Sequence, residues 1–123
     1  MPYEIHVNDN HVLIRLTEVV TSIDLLKSLE DIEFLNCLEK TGVAVYDYSD
    51  AKESLVTIED AAHLAHVANK MVEYQPSLKV IIIPLDPNKL EKAHAYESAI
   101  TNPKVSVHIC KSLKQLDEVL NNQ

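Results

Sequence analysis

Apolar and polar residues alternate over Tyr3–Val7, with Tyr3, Ile5 and Val7 on one side and Glu4 and His6 on the other. A period of two puts these sets on opposite faces of a strand. Val12–Leu16 is a second β-rich run. Between the two, Asn8-Asp9-Asn10 supplies residues that tolerate left-handed turns. The pair predicts an N-terminal hairpin with one face partly open to water. The period then lengthens. Thr21 or Ser22 can cap a helix carrying Ile23, Leu26 and Leu29, extended through residues 33–38 and stopped at Gly42.

Residues 43–48 (VAVYDY) read as a buried strand, and 49–56 as a polar loop. Thr57-Ile58-Glu59-Asp60 resembles a capping box with Asp in the place of Glu or Gln. The helix it opens carries an apolar stripe of Ile58, Ala61, Ala62, Ala65, Ala68, Met71 and Val72 and ends at Pro76. Lys79-Val80-Ile81-Ile82-Ile83 is the strongest strand signal, apolar enough for a central strand covered on both faces. A helix over 88–100, a strand over Val105–Ile109 and a helix over 113–120, capped by Ser112 with Gln115, complete the pattern. Strands alternating with helices imply right-handed parallel crossovers. The expected fold class is therefore α/β: a single mixed, mostly parallel sheet of about five strands, with an N-terminal hairpin and about four helices. One domain spans 1–123.

Composition changes this picture little but narrows function. Charged residues are 24% and hydrophobic residues 46% of 123, as in a globular domain, and the formal net charge is −8. Nucleic-acid binding needs a surplus of cations and is not expected. Gly42 is the single glycine, which excludes glycine-rich phosphate loops. Cys37 and Cys110 sit among apolar residues without a CxxC pattern and read first as buried, reduced thiols, with a disulfide between them left open by sequence. The start MPYEIHVNDN has no basic-then-apolar pattern of a secretory leader. The longest strongly apolar run, Val80 through Ile83, is too short to span a bilayer. A cytoplasmic protein without an integral membrane segment is expected.

Several of these runs together resemble the STAS domain, in its SpoIIAA-like branch related to anti-sigma-factor antagonists. The carriers are the hairpin through Leu16, VAVYDYSDA from Val43, TIEDAAHLA from Thr57, KVIII from Lys79 and LKQLDEVL from Leu113. The resemblance covers nearly the whole chain. It implies a regulatory, non-catalytic module binding a protein partner, itself as a homodimer, or a small apolar ligand. Regulatory members of that family carry an Asp-Ser pair at the start of the helix after this strand, and the serine is phosphorylated. Aligned on Asp47, that position falls at Leu55-Val56-Thr57, where no Asp-Ser pair stands. Thr57 and Ser54 are the hydroxyls available as phospho-acceptors. Glu53, Glu59 and Asp60 would repel a phosphate there, and Thr57 reads first as a helix cap.

Other chemistry is weighed residue by residue. Asp47, followed by Ser49 and Asp50, lies at a strand exit, where it can order a turn or contact a ligand or partner. Asp60, His63 and His66 fall three apart on a helix. With Asp47 they are the residues a small metal-dependent enzyme would use, although no HExxH pattern is present. No nucleophile elbow exists, and no catalytic residue, metal or cofactor is assigned. The run HAYESAI, with His94 and Tyr96, fits a lid over an apolar cavity, a dimer contact or plain packing. The expected function is partner or apolar-ligand binding, with a lipid-binding domain under a helical lid, or a metal-dependent enzyme, as alternatives.

Overall fold

The computed structural model of the chain describes residues 2–121. Strands β1 (Tyr3–Val7) and β2 (Val12–Leu16) form the hairpin, and Asn8 N donates to His11 O at 3.0 Å to close the turn. Then follow β3 (Glu18–Val20), α1 (Ser22–Glu30), α2 (Ile32–Thr41), β4 (Val43–Asp47), β5 (Ala51–Ser54) and α3 (Ile58–Met71), which runs on into a short 3₁₀ turn. Next come β6 (Leu78–Ile83), α4 (Glu91–Ala99), β7 (Val105–Ile109) and α5 (Leu113–Asn121). The main sheet has the order β1-β2-β4-β6-β7, antiparallel only at the hairpin. The chain has the α/β architecture expected of it, with a mostly parallel five-stranded main sheet that opens on an N-terminal hairpin.

Two details differ from expectation. The first helix is two, giving five helices among the described residues. Asp31, at ψ 128°, leaves the helix: its N–H donates to Ser28 O at 3.2 Å, while its carboxylate accepts from Glu33 N at 2.9 Å. One residue thus ends α1 and caps α2. The polar loop after β4 contains β5, which pairs in parallel with β3 to form a second, two-stranded sheet. Glu18 enters that pair at φ 58°, beside an irregularity in register.

Each crossover from β2 to β4, to β6 and to β7 steps the same way across the sheet. Right-handed connections that never reverse direction deliver their helices to one face. Leu25 of α1, Phe34 and Leu38 of α2, Ala68 of α3 and Ala93 of α4 accordingly share a core with Val12, Ile14, Ala44 and Val80. The opposite face belongs to α5, whose Leu116 and Leu120 cover Val43, Val45, Ile81 and Ile83. Gly42 ends α2 in the left-handed conformation at φ 68°, with its N–H on Leu38 O at 2.7 Å. Cys37 and Cys110 are free and buried, one in each core, so the sheet separates them.

Candidate functional site: an apolar cavity beneath α4

Because the strand order never reverses, the sheet has no switch point to open a ligand crevice at its carboxyl edge. The open space lies instead between the sheet and its helical layer. A cavity of about 500 Å³ sits there, bounded by α1, α2, α3, α4 and β4 to β6. That volume is ordinary for a small-molecule site. Small side chains create it: Ala44 on β4, Ala61 and Ala68 on α3, and Ala93 on α4 leave unfilled room. Leu29, Leu64 and Met71 give apolar walls. Lys52, Glu53, Lys89, Glu91 and Lys92 are exposed and stand at the rim.

Three tyrosines interrupt the apolar lining. Tyr46 on β4 and Tyr48 just beyond it point the same way, as residues two apart in a strand do, and Tyr96 approaches from α4. Each ring is surrounded by protein yet keeps accessible area, which it presents to the cavity. Burial pushes all three hydroxyls well above the ordinary tyrosine value. They are also close enough that Tyr96 and Tyr48 raise Tyr46, and Tyr48 raises Tyr96. Ser28 lies near Tyr46 and slightly favours its charged form, but its own proton goes to Leu25 O at 2.6 Å.

The cover, α4, is attached unequally. At its carboxyl end Asn69 Nδ2 donates to Ala99 O at 3.2 Å, and Asn69 Oδ1 accepts from Thr101 N at 3.1 Å and Asn102 N at 3.2 Å. Asn102 Nδ2 returns a bond to Asn69 O at 3.2 Å. At the amino end Leu90 occupies the cap position with no side-chain hydrogen bond. The polar tie there is Lys92 Nζ to Ser54 O, exposed, at 3.1 Å. The helix is pinned at one end and loosely latched at the other.

The residues singled out from sequence do not all meet here. Tyr96 lines the cavity, whereas His94, two residues away, is exposed and 3.4 Å from Glu97. Asp47 alternates with Tyr46 and so faces the α5 side. It is 4% exposed, and its carboxylate accepts from Ser49 N at 2.9 Å and Ser49 Oγ at 2.6 Å. Asp50 pairs with Arg15 at 2.8 Å on the surface. This arrangement is an Asx turn that fixes the strand exit. Ser54 stands at the cavity rim. Thr57 is an N-cap: its hydroxyl accepts from Asp60 N at 3.0 Å, and Asp60 accepts from Thr57 N at 3.0 Å. Asp60 is thereby engaged, and His63 and His66 are exposed. No group of three or more potential metal-binding side chains occurs among the described residues. Sequence reasoning missed Tyr46 and Tyr48, whose signal was two tyrosines two apart at the end of a strand that opens Val-Ala-Val.

No protein-family model and no curated sequence relative matches the chain. Solved structures do match its fold. The anti-sigma factor antagonist SpoIIAA in its unphosphorylated form superposes with a TM-score of 0.62 at 11% identity, covering 97% of this chain and 98% of that one. The phosphorylated form of the Bacillus cell fate determinant SpoIIAA gives 0.54 at 11% identity, over 95% and 98%. An uncharacterised DUF3478-family protein with a SpoIIAA-like fold from Shewanella loihica gives 0.56 at 14% identity, over 96% and 91%. These likenesses define a SpoIIAA-like fold. No described helix is long and apolar enough to cross a membrane.

Proposed function

We propose that this chain is a non-catalytic regulatory module that binds a small apolar molecule between its sheet and α4, with α4 as the movable cover. The carrying observation is the cavity of about 500 Å³, walled by apolar side chains and tyrosines with charged residues at its rim, under a helix held by the Asn69 and Asn102 bonds at its carboxyl end and by one exposed lysine bond at its amino end. At roughly 30 Å³ per non-hydrogen atom, the share of a water molecule in the liquid, it admits about 17 such atoms. The test is native mass spectrometry of untagged protein, alongside a denatured spectrum. A native excess of a few hundred daltons that vanishes on denaturation is expected. Native mass equal to the denatured mass, with no apolar compound in an organic extract, would overturn the reading.

A protein partner is the complementary part of the proposal. Ile23, Leu55 and Ile58 are large apolar residues exposed by 62%, 53% and 53%. They lie beside the β3–β5 pair, where Leu55 N bonds Val20 O at 2.8 Å. The fold neighbour described as an anti-sigma factor antagonist acts through a protein, which supports this part by analogy. Ile23→Asp with Ile58→Asp should abolish capture of the partner without changing the native ligand mass.

A further inference from the structure

The chain is acidic, but its charge is unevenly spread. It has 11 Lys and Arg against 19 Asp and Glu. Three of each sign stand at the cavity mouth: Lys52, Lys89 and Lys92 with Glu53, Asp86 and Glu91. The mouth is therefore neutral, and the formal net charge of −8 resides elsewhere. An anion nearing this protein meets less repulsion at the mouth than over the rest of the surface.

The balance at the mouth does not come from ion pairs, since those among the described residues all lie outside it. The acids and the lysines are also differently engaged. Asp86 Oδ1 accepts from Asn88 N at 2.9 Å and fixes the turn that leads to α4. Glu91 sits in the first turn of α4, where its charge answers the helix dipole. Lys92 Nζ, by contrast, has a neutral carbonyl, Ser54 O, at 3.1 Å, and Lys52 and Lys89 have no side-chain partner among the described residues. The amino end of α4 adds to the positive side. Leu90 brings no capping side chain, and no described residue accepts from the backbone N–H groups of Glu91, Lys92 and Ala93.

An apolar interior behind such a mouth suits one kind of molecule. A charge drawn inside would lose its hydration, whereas a charge kept at the mouth stays wet and meets lysines. A carboxylate is a stronger partner for Lys92 than the neutral carbonyl it now holds. Room for about 17 non-hydrogen atoms takes one acyl chain and not two. Glu53 and Glu91 disfavour a doubly charged phosphate head more than a singly charged one.

Resting on the cavity reading above, we propose that the ligand is a single-chain amphiphile with a carboxylate head. The chain fills the cavity against Leu29, Leu64 and Met71. The head stays at the mouth, beside Lys89 and Lys92 at the amino end of α4.

Three radiolabelled probes of equal non-hydrogen-atom count test this by equilibrium dialysis: tetradecanoic acid, its neutral counterpart methyl tridecanoate, and pentadecylamine. At about pH 7.5 the acid is ionised and the amine protonated. The wild type should bind tetradecanoate more tightly than pentadecylamine. Lys89→Gln with Lys92→Gln should weaken tetradecanoate roughly fivefold, as expected of two exposed ion pairs, and leave the ester unchanged. Lys111→Gln with Lys114→Gln, at the start of α5 on the other face of the sheet, makes the same change in net charge and should alter neither. If the Lys89 and Lys92 changes leave tetradecanoate as it was, or weaken the ester equally, the cavity reading stands and the head-group inference falls. The same follows if the Lys111 and Lys114 changes weaken tetradecanoate as much. If pentadecylamine binds more tightly than tetradecanoate, the carboxylate inference falls. If none of the three binds the wild type, both this inference and the cavity reading fall.

Discussion

Removing the Asn69 side chain should free the cover. Asn69→Ala deletes three hydrogen bonds, to Ala99 O, Thr101 N and Asn102 N, and leaves the bond from Asn102 Nδ2 to Asn69 O in place. At about 1 kcal/mol net each the loss is about 3 kcal/mol. Thr101 is exposed and its N–H can turn to water, so about 2 kcal/mol is the working figure. For a chain of this length that lowers Tm by about 8 °C. The informative assay is hydrogen exchange resolved by segment. If the asparagine pair is the hinge, amides of α4 should exchange about 30-fold faster, the factor that about 2 kcal/mol sets, while the sheet amides of β4 and β6 change much less. Uniform acceleration along the chain would mean that Asn69 serves global stability alone. Unchanged exchange in α4 would refute the hinge outright.

Further predictions concern titration and backbone. Tyr46, Tyr48 and Tyr96 have folded values raised by burial, so the unfolded chain ionises first and holds fewer protons. Their contribution is complete below about pH 10 and is lost above it, at about 1.4 kcal/mol per pH unit for each hydroxyl. Denaturant unfolding at stepped alkaline pH should show that slope, and each Tyr→Phe should remove one share. Gly42→Ala should cost about 1–2 kcal/mol in thermal unfolding, since the site has φ 68° and a Cβ would stand 3.3 Å from Ser77 O. Thr57→Ala should cost about 1 kcal/mol through the lost cap and leave ligand affinity unchanged by calorimetry. An affinity loss would mean that the start of α3 takes part in binding.

Strands β1, β2, β4 and β6 and the Thr57 cap were legible because each is a local pattern: alternation, a turn triplet, a β-branched run, a residue pair three apart. The break at Asp31 was not. Apolar residues continue at helical spacing on both sides of it, and a single Asp marks a boundary only when ψ is known. The β3–β5 sheet escaped because strands of three and four residues carry too few alternations to register, and their pairing is remote in sequence. The cavity was illegible for a different reason. Its walls are residues that pattern assigns to the core, and only their positions show that Ala44, Ala61, Ala68 and Ala93 fail to fill the space between them. Tyr96 stood out in sequence beside its alanines. Tyr46 and Tyr48 were absorbed into a strand, and nothing local said which face they shared with Tyr96.

The one-way march of the crossovers also bears on how the chain is made. Beyond the hairpin, each new strand adds beside the one completed just before it, so β2, β4, β6 and β7 can dock in the order in which they leave the ribosome. The helical face is covered as each crossover arrives. The other face waits. Val43, Val45, Ile81 and Ile83 lack that cover until Leu116 and Leu120 emerge, after every strand of the sheet has been made. A nascent chain halted before α5 therefore presents a continuous apolar sheet face, the surface on which a chaperone or a second unfinished chain would settle.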